Sequence, residues 1–357
     1  MSAEIGSNFY SVELSEKHSE NKKCDVIYSF SGRTSLFQVI NHVMKEKKVS
    51  SACLPSYLCE SMIEPFIASG IDSISFYDVY IENSSIKIDL DSIGQSDIIL
   101  TMNYFGAGTE ETQECEKRIR ESHRKAVIIK DITHSMLKIN EQGRYADYMF
   151  GSIRKWSGFA DGGIALKNGG WDENPYNKVN EEHFSILNEA RKNKKIYIEY
   201  GRGDKQQFLD LFGKAEEILD RDYREYAINP NTAADLKRFN AEKVSGLRRI
   251  NYRRLLSGEK IMMEKNILPL FPVLMDCETP LFFPVIAENR EKRDRLRKYL
   301  TGNGVYCPVH WPISCMHMLS DRTREIYDRE LSIICDQRYT EKDMLRILML
   351  IEEYTEK

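Results

Sequence analysis

The stretch Ala126-Val127-Ile128-Ile129-Lys130-Asp131-Ile132-Thr133-His134 is a strand-sized apolar run that is closed by a carboxylate. Short continuous apolar runs of this kind are typical of strands that are covered on both faces of a parallel sheet. In such sheets, ligands bind beyond the carboxyl ends of the strands. Asp131 and His134 therefore stand where residues of a binding site are expected.

Strand and helix patterns alternate on both sides of this run, from residue 25 to residue 170. This alternation predicts an α/β fold with a largely parallel sheet. The predicted helices follow Ser31-Gly32-Arg33-Thr34 and cover Glu60–Ala68 and Glu111–His123. The other predicted strands are Asp25–Phe30, Val49–Leu54, Ile74–Asp78, Ile98–Tyr104, Tyr148–Phe150 and Gly163–Leu166.

Polar or small residues directly follow several of the predicted strands. Because the carboxyl ends of parallel strands lie at the same edge of a sheet, we expect these segments to converge. The first also opens a helix, and a helix amino terminus suits a phosphate group. The converging segments are Ser31–Thr34, Pro55–Cys59, Asn103–Gly106, Asp131–His134 and Ser152–Lys155.

Lys155 lies in one of these segments, seven residues before Gly162-Gly163. A lone lysine in a basic stretch is more often a solvated surface residue. A lysine, an aspartate and a Gly-Gly turn at this spacing can nevertheless hold pyridoxal 5′-phosphate. The Lys155 amine would form the Schiff base, and Asp131 would keep the pyridine nitrogen protonated.

Size and composition suit a globular chain of one two-lobed body or two domains. The chain has 357 residues, 41% hydrophobic residues and a formal net charge of -4. There is no basic excess that would indicate a nucleic-acid partner, and no signal peptide or membrane span is predicted. The eight cysteines are scattered without a CxxC pair, which favours reduced, mostly buried thiols in a cytoplasmic protein and no metal site.

The carboxyl-terminal part is predicted to consist of helices followed by a smaller α+β lobe. Residues 180–256 are polar and helical, with an apolar stripe from Phe208 to Leu219 that we attribute to helix core or dimer packing. The arginines of Arg248–Arg254 are expected on a solvated helix face with ion pairs rather than at a nucleic-acid site. Pro280–Val285 and Gly304–Val309 are predicted strands. The last helix, residues 340–354, opens on a sequence close to a capping box.

At this point the chain resembles the DegT/StrS-type sugar aminotransferases, which are fold type I pyridoxal-phosphate enzymes. The resemblance covers roughly residues 25–170 and 245–350. The segments that carry it are Ser31-Gly32-Arg33-Thr34-Ser35-Leu36, Pro55-Ser56-Tyr57, Asn103-Tyr104-Phe105-Gly106, Asp131-Ile132-Thr133-His134, Ser152 with Lys155 and Gly162-Gly163, and Val309-His310-Trp311-Pro312.

The resemblance implies an aspartate aminotransferase-like fold. This is a three-layer α/β/α large domain with a mainly parallel seven-stranded sheet, plus a smaller α+β carboxyl-terminal domain. It predicts an amino-terminal arm over residues 1–24, a cofactor-binding domain over 25–240 and a small domain over 241–357. A homodimer is also expected, with no membrane partner.

The resemblance also implies a role for each matching residue. Lys155 would carry the Schiff base and act as the base, with its amine pKa lowered by nearby cations and burial, and Asp131 would pair with the pyridinium nitrogen. His134 would lie near the phenolate oxygen of the ring. The remaining cofactor contacts would come from Ser152, Gly32, Arg33, Thr34, Tyr57 and Cys59, and the substrate contacts from His310 and Asn103.

Several positions depart from the family pattern. Arg33 replaces a small hydroxyl residue and could either reach the phosphate or point away from it. Cys59 stands where an aromatic residue usually stacks on the ring, and Asn103 stands where histidine is common. The family's Gly-x-Asn-x-Arg-Met segment, which crosses the dimer interface, has no counterpart in residues 195–245.

Three readings remain open. The first is an aminotransferase that moves an amino group from glutamate or glutamine to a nucleotide-linked keto-sugar, in surface-polysaccharide or secondary-metabolite biosynthesis. The second is a pyridoxal-phosphate lyase or decarboxylase with another substrate. The third is a non-catalytic member of the fold that binds a ligand or partner. A nicotinamide enzyme is disfavoured, since no Gly-x-Gly-x-x-Gly follows an early strand.

Overall fold

The computed structural model describes residues 4–16, 26–137, 143–171 and 174–355. The strands of these residues are β1 Ile5–Gly6, β2 Val26–Ser29, β3 Ser51–Pro55, β4 Ser73–Tyr77, β5 Val79–Glu82, β6 Ser85–Ile88, β7 Ile98–Met102, β8 Val127–Asp131, β9 Tyr148–Ser152, β10 Gly163–Lys167, β11 Ile267–Pro269, β12 Phe283–Ala287, β13 Val305–Tyr306 and β14 Glu330–Ile333.

The helices alternate with the strands in the first half of the chain and dominate after β10. The α-helices are α1 Gly32–Glu46, α2 Glu64–Ala68, α3 Thr109–Ser122, α4 Glu181–Tyr200, α5 Lys205–Arg221, α6 Pro230–Leu236, α7 Ala241–Leu256, α8 Glu259–Glu264, α9 Arg290–Gly302, α10 Asp321–Arg329 and α11 Glu341–Glu353. Short 3-10 helices cover Glu60–Met62, Leu90–Ser92 and Ile153–Lys155.

The largest sheet of the described residues has seven strands in the order β2-β10-β9-β8-β7-β3-β4. Strand β3 pairs in parallel with β4 and β7, and β7 pairs in parallel with β8. Strand β10 runs antiparallel to both β2 and β9. The predicted α/β class with a mainly parallel seven-stranded sheet is therefore confirmed.

The chain divides into two compact units. The first contains Met1–Ser7, Val49–Ala146 and Ala241–Lys357, and the second contains Asn8–Lys48 and Asp147–Asn240. The predicted division into an arm, a large domain and a small domain stays a prediction. Of the predicted arm, residues 1–3 and 17–24 lie outside the described residues.

The first unit has a core formed by its small antiparallel sheet and the helices around it. That sheet has the order β11-β12-β14. Its helix α11 begins with the expected capping box, because Thr340 and Asp343 satisfy each other's backbone N–H groups. The buried side chains of this core include Tyr252, Leu255, Val285, Leu296, Leu331, Ile333, Ile347 and Ile351.

The second unit contains a helical hairpin made by α4 and α5. Asn180 caps α4 and Asp204 caps α5, each through a side-chain oxygen that accepts a backbone N–H. The apolar stripe of α5 is buried, as expected for helix core packing. Its cluster consists of Phe208, Phe212 and Ala215 of α5, Leu187 and Ala190 of α4, and Ala160.

Two local predictions need correction. The single helix predicted over residues 60–68 is split into a 3-10 turn and α2. Pro65 stands at the start of α2, where its missing N–H does no harm, whereas it would break a continuous helix. The strand predicted over Gly304–Val309 is limited to Val305–Tyr306.

The arginine run of α7 is not uniformly solvated. Arg254 pairs with exposed Glu341, as expected. Arg248 is only 1% exposed, and its guanidinium donates to the side chain of Gln337 and to the backbone carbonyls of Pro280 and Leu281. A helix turns every 3.6 residues, so one member of a run of arginines faces the core, and here it satisfies loop carbonyls.

None of the helices in the described part of the chain is long and apolar enough to cross a membrane.

Arg248→Met should destabilise the protein by about 3 kcal/mol, because it leaves buried carbonyl oxygens without donors. Urea unfolding monitored by circular dichroism measures this loss. Arg254→Met on the same helix is the matched control, and removal of its exposed ion pair should cost less than about 1 kcal/mol. Equal losses in the two variants would contradict the structural role of Arg248.

Candidate active site

The first unit brings three of the predicted site segments together, because they follow the parallel strands β3, β7 and β8. The Tyr104 hydroxyl donates to the carbonyl of Tyr57 at 2.7 Å. The backbone N–H of Phe105 donates to Nδ1 of His134 at 3.1 Å. The predicted convergence of the segments that begin at Pro55, Asn103 and Asp131 is therefore confirmed within this unit.

Asp131 ends β8 and is 3% exposed. Its Oδ1 accepts a hydrogen bond from the backbone N–H of Thr133 at 2.7 Å. Burial raises the pKa of the Asp131 carboxyl to about 6, against the hydrogen bonds from Thr133 that lower it. In the described part of the chain, no lysine, arginine or histidine forms an ion pair with it. Among the described residues, the carboxylate is thus buried without a counter-ion.

His134 follows Asp131 in the same turn and is 3% exposed. Since its Nδ1 accepts the Phe105 N–H, a neutral His134 ring carries its proton on Nε2. The ring lies nearly parallel to Trp311, with centroids 5.6 Å apart and an interplanar angle of 27°. His134 is therefore held as a donor of fixed orientation beside the Asp131 turn.

Three further predicted residues are placed by contacts within the first unit. The Tyr57 side chain is fully buried, and its hydroxyl donates to the backbone carbonyl of His310 at 2.6 Å. The Asn103 side chain is also buried and donates from Nδ2 to the Thr109 hydroxyl at 3.2 Å. Cys59 is partly buried and lies at the turn after β3.

The second unit contains the Lys155 turn and explains the Gly-Gly pair. The N–H of Gly162 donates to the carbonyl of Phe30, and the N–H of Ile153 donates to the carbonyl of Gly162. Gly162 has φ +123°, a conformation that side chains rarely adopt. A Cβ atom on Gly163 would collide with the carbonyl of Ser31. Two glycines are therefore needed where β10 passes the turn at the start of α1.

The turn at the start of α1 is stabilised mainly by its own side chains. Ser31 is the N-cap, and its Oγ accepts the N–H of Thr34 at 3.1 Å. The Thr34 hydroxyl donates to the Tyr223 carbonyl at 2.8 Å. Arg33 forms an ion pair with Asp220 at 2.8 Å, so of the two orientations left open by the sequence it takes one directed to α5.

Ser152 ends β9 and lies against this turn. The nearest atom to an ideal Cβ on Gly32 is the Cβ of Ser152, at 3.0 Å. Gly32 is therefore the residue that lets the amino terminus of α1 approach the end of β9. The two predicted phosphate-binding segments of the second unit are adjacent.

Lys155 itself is exposed, in contrast to the burial expected for its amine. Its neighbour Arg154 forms an ion pair with Glu216 of α5. Although partial desolvation opposes ionisation of the half-exposed Glu216, Arg154 and then Lys155 hold the pKa of this carboxyl below its ordinary value. Glu216 was not among the predicted site residues, because it lies on a helix far along the chain from Lys155 and no local motif marks it.

A buried histidine lies beside these charged residues. His183 of α4 is fully buried, and its ring meets Phe30 edge-on with centroids 4.7 Å apart. Burial, and then the charge of Arg154, lower the pKa of His183 to about 4. The ring is therefore neutral at ordinary pH. Helix α4 through His183 and helix α5 through Glu216 thus reach the Lys155 turn.

Comparison with known proteins finds matches at the level of structure. The aminotransferase TlmJ from Streptoalloteichus hindustanus superposes with a TM-score of 0.64 at 14% identity, over 92% of this chain and 85% of TlmJ. The PLP form of the putative sugar aminotransferase Spr1654 from Streptococcus pneumoniae gives 0.62 at 14% identity, over 95% and 92%. A DegT DnrJ EryC1 StrS aminotransferase from Brucella abortus gives 0.57 at 14% identity, over 93% and 86%.

The chain has the aminotransferase fold. Neither a family model nor a curated protein sequence matches it. The fold predicted from the resemblance is thus confirmed by structure, at identities that carry no residue roles. Within the aminotransferase fold, the roles of Lys155, Asp131 and the other site residues stay predictions.

The stability of Asp131→Asn relative to the parent protein, both without cofactor, should increase as pH rises. Because the folded-state pKa of Asp131 is raised from 3.8 to about 6, the folded state binds more protons than the unfolded state between these values. Stability of the parent protein relative to the variant should therefore fall across this window and stay low above it. Two pKa units correspond to about 3 kcal/mol.

Urea unfolding at pH 4.5, 5.5, 6.5 and 7.5 measures this difference. Asp276→Asn is the control, since Arg249 and Arg253 lower the pKa of this exposed carboxyl and place its titration below the window. Its difference from the parent should not change with pH. A pH-independent difference for Asp131→Asn would show that this carboxyl does not titrate as its burial requires.

Gly163→Ala should destabilise the second unit by at least ~2 kcal/mol, because the added methyl group collides with backbone. Gly213→Ala on α5 is the matched control, since a Cβ there meets nothing within 4 Å and Gly costs helix stability. Thermal unfolding measures both variants. The first should lower Tm and the second should leave it unchanged or raise it, and a tolerated Gly163→Ala would refute the close approach.

Proposed function

We propose that this protein is a pyridoxal-phosphate-dependent aminotransferase that moves an amino group from glutamate or glutamine to a nucleotide-linked keto-sugar. The observation that carries the proposal is the buried Asp131 carboxylate, which has no cationic partner in the described part of the chain. A protonated pyridine nitrogen is the partner it lacks. The shared fold with aminotransferases, one of them in a PLP form, supports the same reading.

The residues of the first unit fit the ring of this cofactor. When bound, pyridoxal phosphate supplies a carbonyl group that accepts amines and a ring that withdraws electrons. Asp131 would hold the proton on the ring nitrogen, since a cation beside a buried carboxylate relieves the cost of its charge. His134, with its proton on Nε2, is suited to donate to the phenolate oxygen. Tyr57 would contribute to the walls of the site, and so would Cys59.

The residues of the second unit fit the phosphate and the carbonyl carbon. The amino terminus of α1 offers backbone N–H groups and a positive helix end, and Gly32 brings Ser152 beside it. Thr34 and Arg33 would act through their backbone and by fixing this turn, because their side chains bond to Tyr223 and Asp220. Lys155 would bind the carbonyl carbon covalently and then move the substrate proton.

On the substrate side of the proposed site, Asn103 and His310 would have different roles. Asn103 uses its amide to donate to Thr109, so its contribution would be to shape the wall after β7. His310 remains a candidate for direct substrate contact. A homodimer would supply residues from a second copy, and α4 and α5 occupy part of the sequence that lacks the family's cross-subunit segment.

Purified protein reconstituted with pyridoxal phosphate should absorb at about 420 nm, as a protonated Schiff base does. Borohydride should fix the cofactor on Lys155, and peptide mass mapping identifies the site. Lys155→Arg keeps the charge but cannot form the adduct, while Lys167→Arg in β10 is the control that should behave like the parent. Absence of cofactor binding by the parent protein would end this proposal.

The two other readings are separated by the donor half-reaction. A panel of amino acids is added to the reconstituted protein, and loss of the absorbance band with release of a keto acid reports transamination. Glutamate or glutamine should be active. Release of carbon dioxide instead would identify a decarboxylase. No reaction with any donor, despite a bound cofactor, would favour a binding role.

A further inference from the structure

A chain of hydrogen bonds in the first unit connects a buried carboxylate to His310. Nδ1 of His310 lies 2.8 Å from the hydroxyl of Ser332. That hydroxyl donates to Oε1 of Glu330 at 2.5 Å. Oε2 of Glu330 accepts the backbone N–H of His310 at 2.8 Å. Glu330 and Ser332 both belong to β14 and are fully buried.

The single hydroxyl proton of Ser332 decides the direction of this chain. The Ser332 hydroxyl donates to Oε1 of Glu330, and a carboxylate can only accept. The Ser332 proton therefore points to Glu330, and its oxygen must accept from His310. This requires the proton of a neutral His310 ring to be on Nδ1, which leaves the lone pair on Nε2.

Four aromatic rings of the first unit pack around the ring of His310. Phe282 packs on it at 4.8 Å, Trp311 at 5.3 Å, and Phe105 and His134 at 5.7 Å, all between ring centroids. The side chain retains 12% exposure. Its Nε2 has no hydrogen-bond partner in the described part of the chain.

Among the described residues, few groups that can gain or lose a proton face the His310 ring. Glu330 lies on the Nδ1 side, His134 contacts the ring face-to-edge, and the Tyr57 hydroxyl is engaged by the His310 carbonyl. The Nδ1 atoms of the two histidines have different partners. Nδ1 of His134 accepts the Phe105 N–H, whereas Nδ1 of His310 faces a hydroxyl that already donates to Glu330.

We infer that Glu330 and Ser332 are positioning residues that hold His310 in the Nδ1–H tautomer, so that Nε2 accepts a hydrogen bond or a proton from the substrate. The substrate part of this inference rests on the proposed aminotransferase function. The group recognised would be a hydroxyl or amino group, as carried by a sugar. His310 is then the substrate-binding residue, and β14 determines its chemistry.

The tautomer can be read directly in the cofactor-free protein. Histidine is labelled with ¹⁵N, and long-range proton–nitrogen correlation spectra at pH 8.5 distinguish protonated from unprotonated ring nitrogens. Comparison with His310→Gln assigns the His310 signals. The parent should show a protonated Nδ1 and an unprotonated Nε2. A protonated Nε2 in the parent would overturn the inference.

Glu330→Gln should reverse the tautomer. The Gln oxygen takes the His310 backbone N–H, and its amide then donates to Ser332, which must pass its own proton toward Nδ1 of His310. The ring proton therefore moves from Nδ1 to Nε2. Glu325→Gln on the exposed side of α10 is the matched control, and it should leave the tautomer unchanged.

Substitution of Ser332 gives an independent test that does not rely on the folding of the Glu330 variant. Ser332→Ala removes the link, and 3.9 Å from Nδ1 to Glu330 is too long for a direct hydrogen bond, so a mixture of tautomers is expected. Ser332→Thr keeps a hydroxyl and should restore the parent pattern. An unchanged single tautomer in Ser332→Ala would refute the relay.

The effect on function is measured in the reconstituted protein. With an accepted keto-sugar, Ser332→Ala should lower kcat in proportion to the fraction of rings that lose the Nδ1–H tautomer. Glu330→Gln, which reverses the tautomer, should lower kcat about 10²-fold, as expected for loss of a correctly protonated acid–base group, while cofactor absorbance is retained in both variants. If the parent binds no cofactor, the proposed function fails while the tautomer result stands. A normal kcat in Ser332→Ala would refute the link between the relay and the substrate.

Discussion

The parallel pairing of β3, β7 and β8 is the constraint on which the first unit depends. It places the turns after these strands at one edge, where backbone N–H groups and side chains can satisfy one another. The Phe105 N–H fixes the ring of His134, and Tyr104 fixes the turn at Tyr57. Asp131 ends β8 inside this group, where it is buried and has no cationic partner among the described residues. The geometry that builds the turn thus leaves a buried carboxylate that favours binding of a cationic ligand.

The second unit depends on close backbone approach. Gly162 and Gly163 let β10 pass the Ser31 carbonyl, and Gly32 lets α1 begin beside Ser152. A Cβ on Gly163 would overlap the Ser31 backbone, and one on Gly32 would crowd Ser152. Gly162 has a φ that side chains rarely adopt. Lys155 lies in a turn that is held by backbone hydrogen bonds from Ile153 to Gly162 and from Gly162 to Phe30. Its own side chain is exposed. Arg154 and Glu216 add charges next to it that come from different elements.

Several buried polar groups have partners from other segments of the chain. Arg248 binds loop carbonyls, and Glu330 with Ser332 orients His310. Each arrangement is satisfied by partners distant in sequence, so each is stabilising only when the surrounding fold is complete. Arg33 illustrates the same point, because Asp220 on α5 decides its direction.

The sequence by itself determined the order of strands and helices and the residues that follow the strands. Hydrophobic runs and helical spacing depend on near neighbours, and the motifs around Asp131, Lys155 and Gly162-Gly163 are local. The split at Pro65 was missed because a local pattern was read without its breaker. The burial of Arg248 was missed because a helix face is exposed or covered only by what packs against it.

Only the tertiary structure decided how the candidate residues are used. Arg33 pairs with Asp220 of α5, and the Thr34 hydroxyl donates to the Tyr223 carbonyl. Asp131 is buried without a cationic partner in the described part of the chain, and His310 is linked to Glu330 through Ser332. These outcomes depend on burial and on hydrogen bonds between segments far apart in the chain. Charge and protonation follow from such surroundings, so residue type and spacing could name the candidates but could not assign their chemistry.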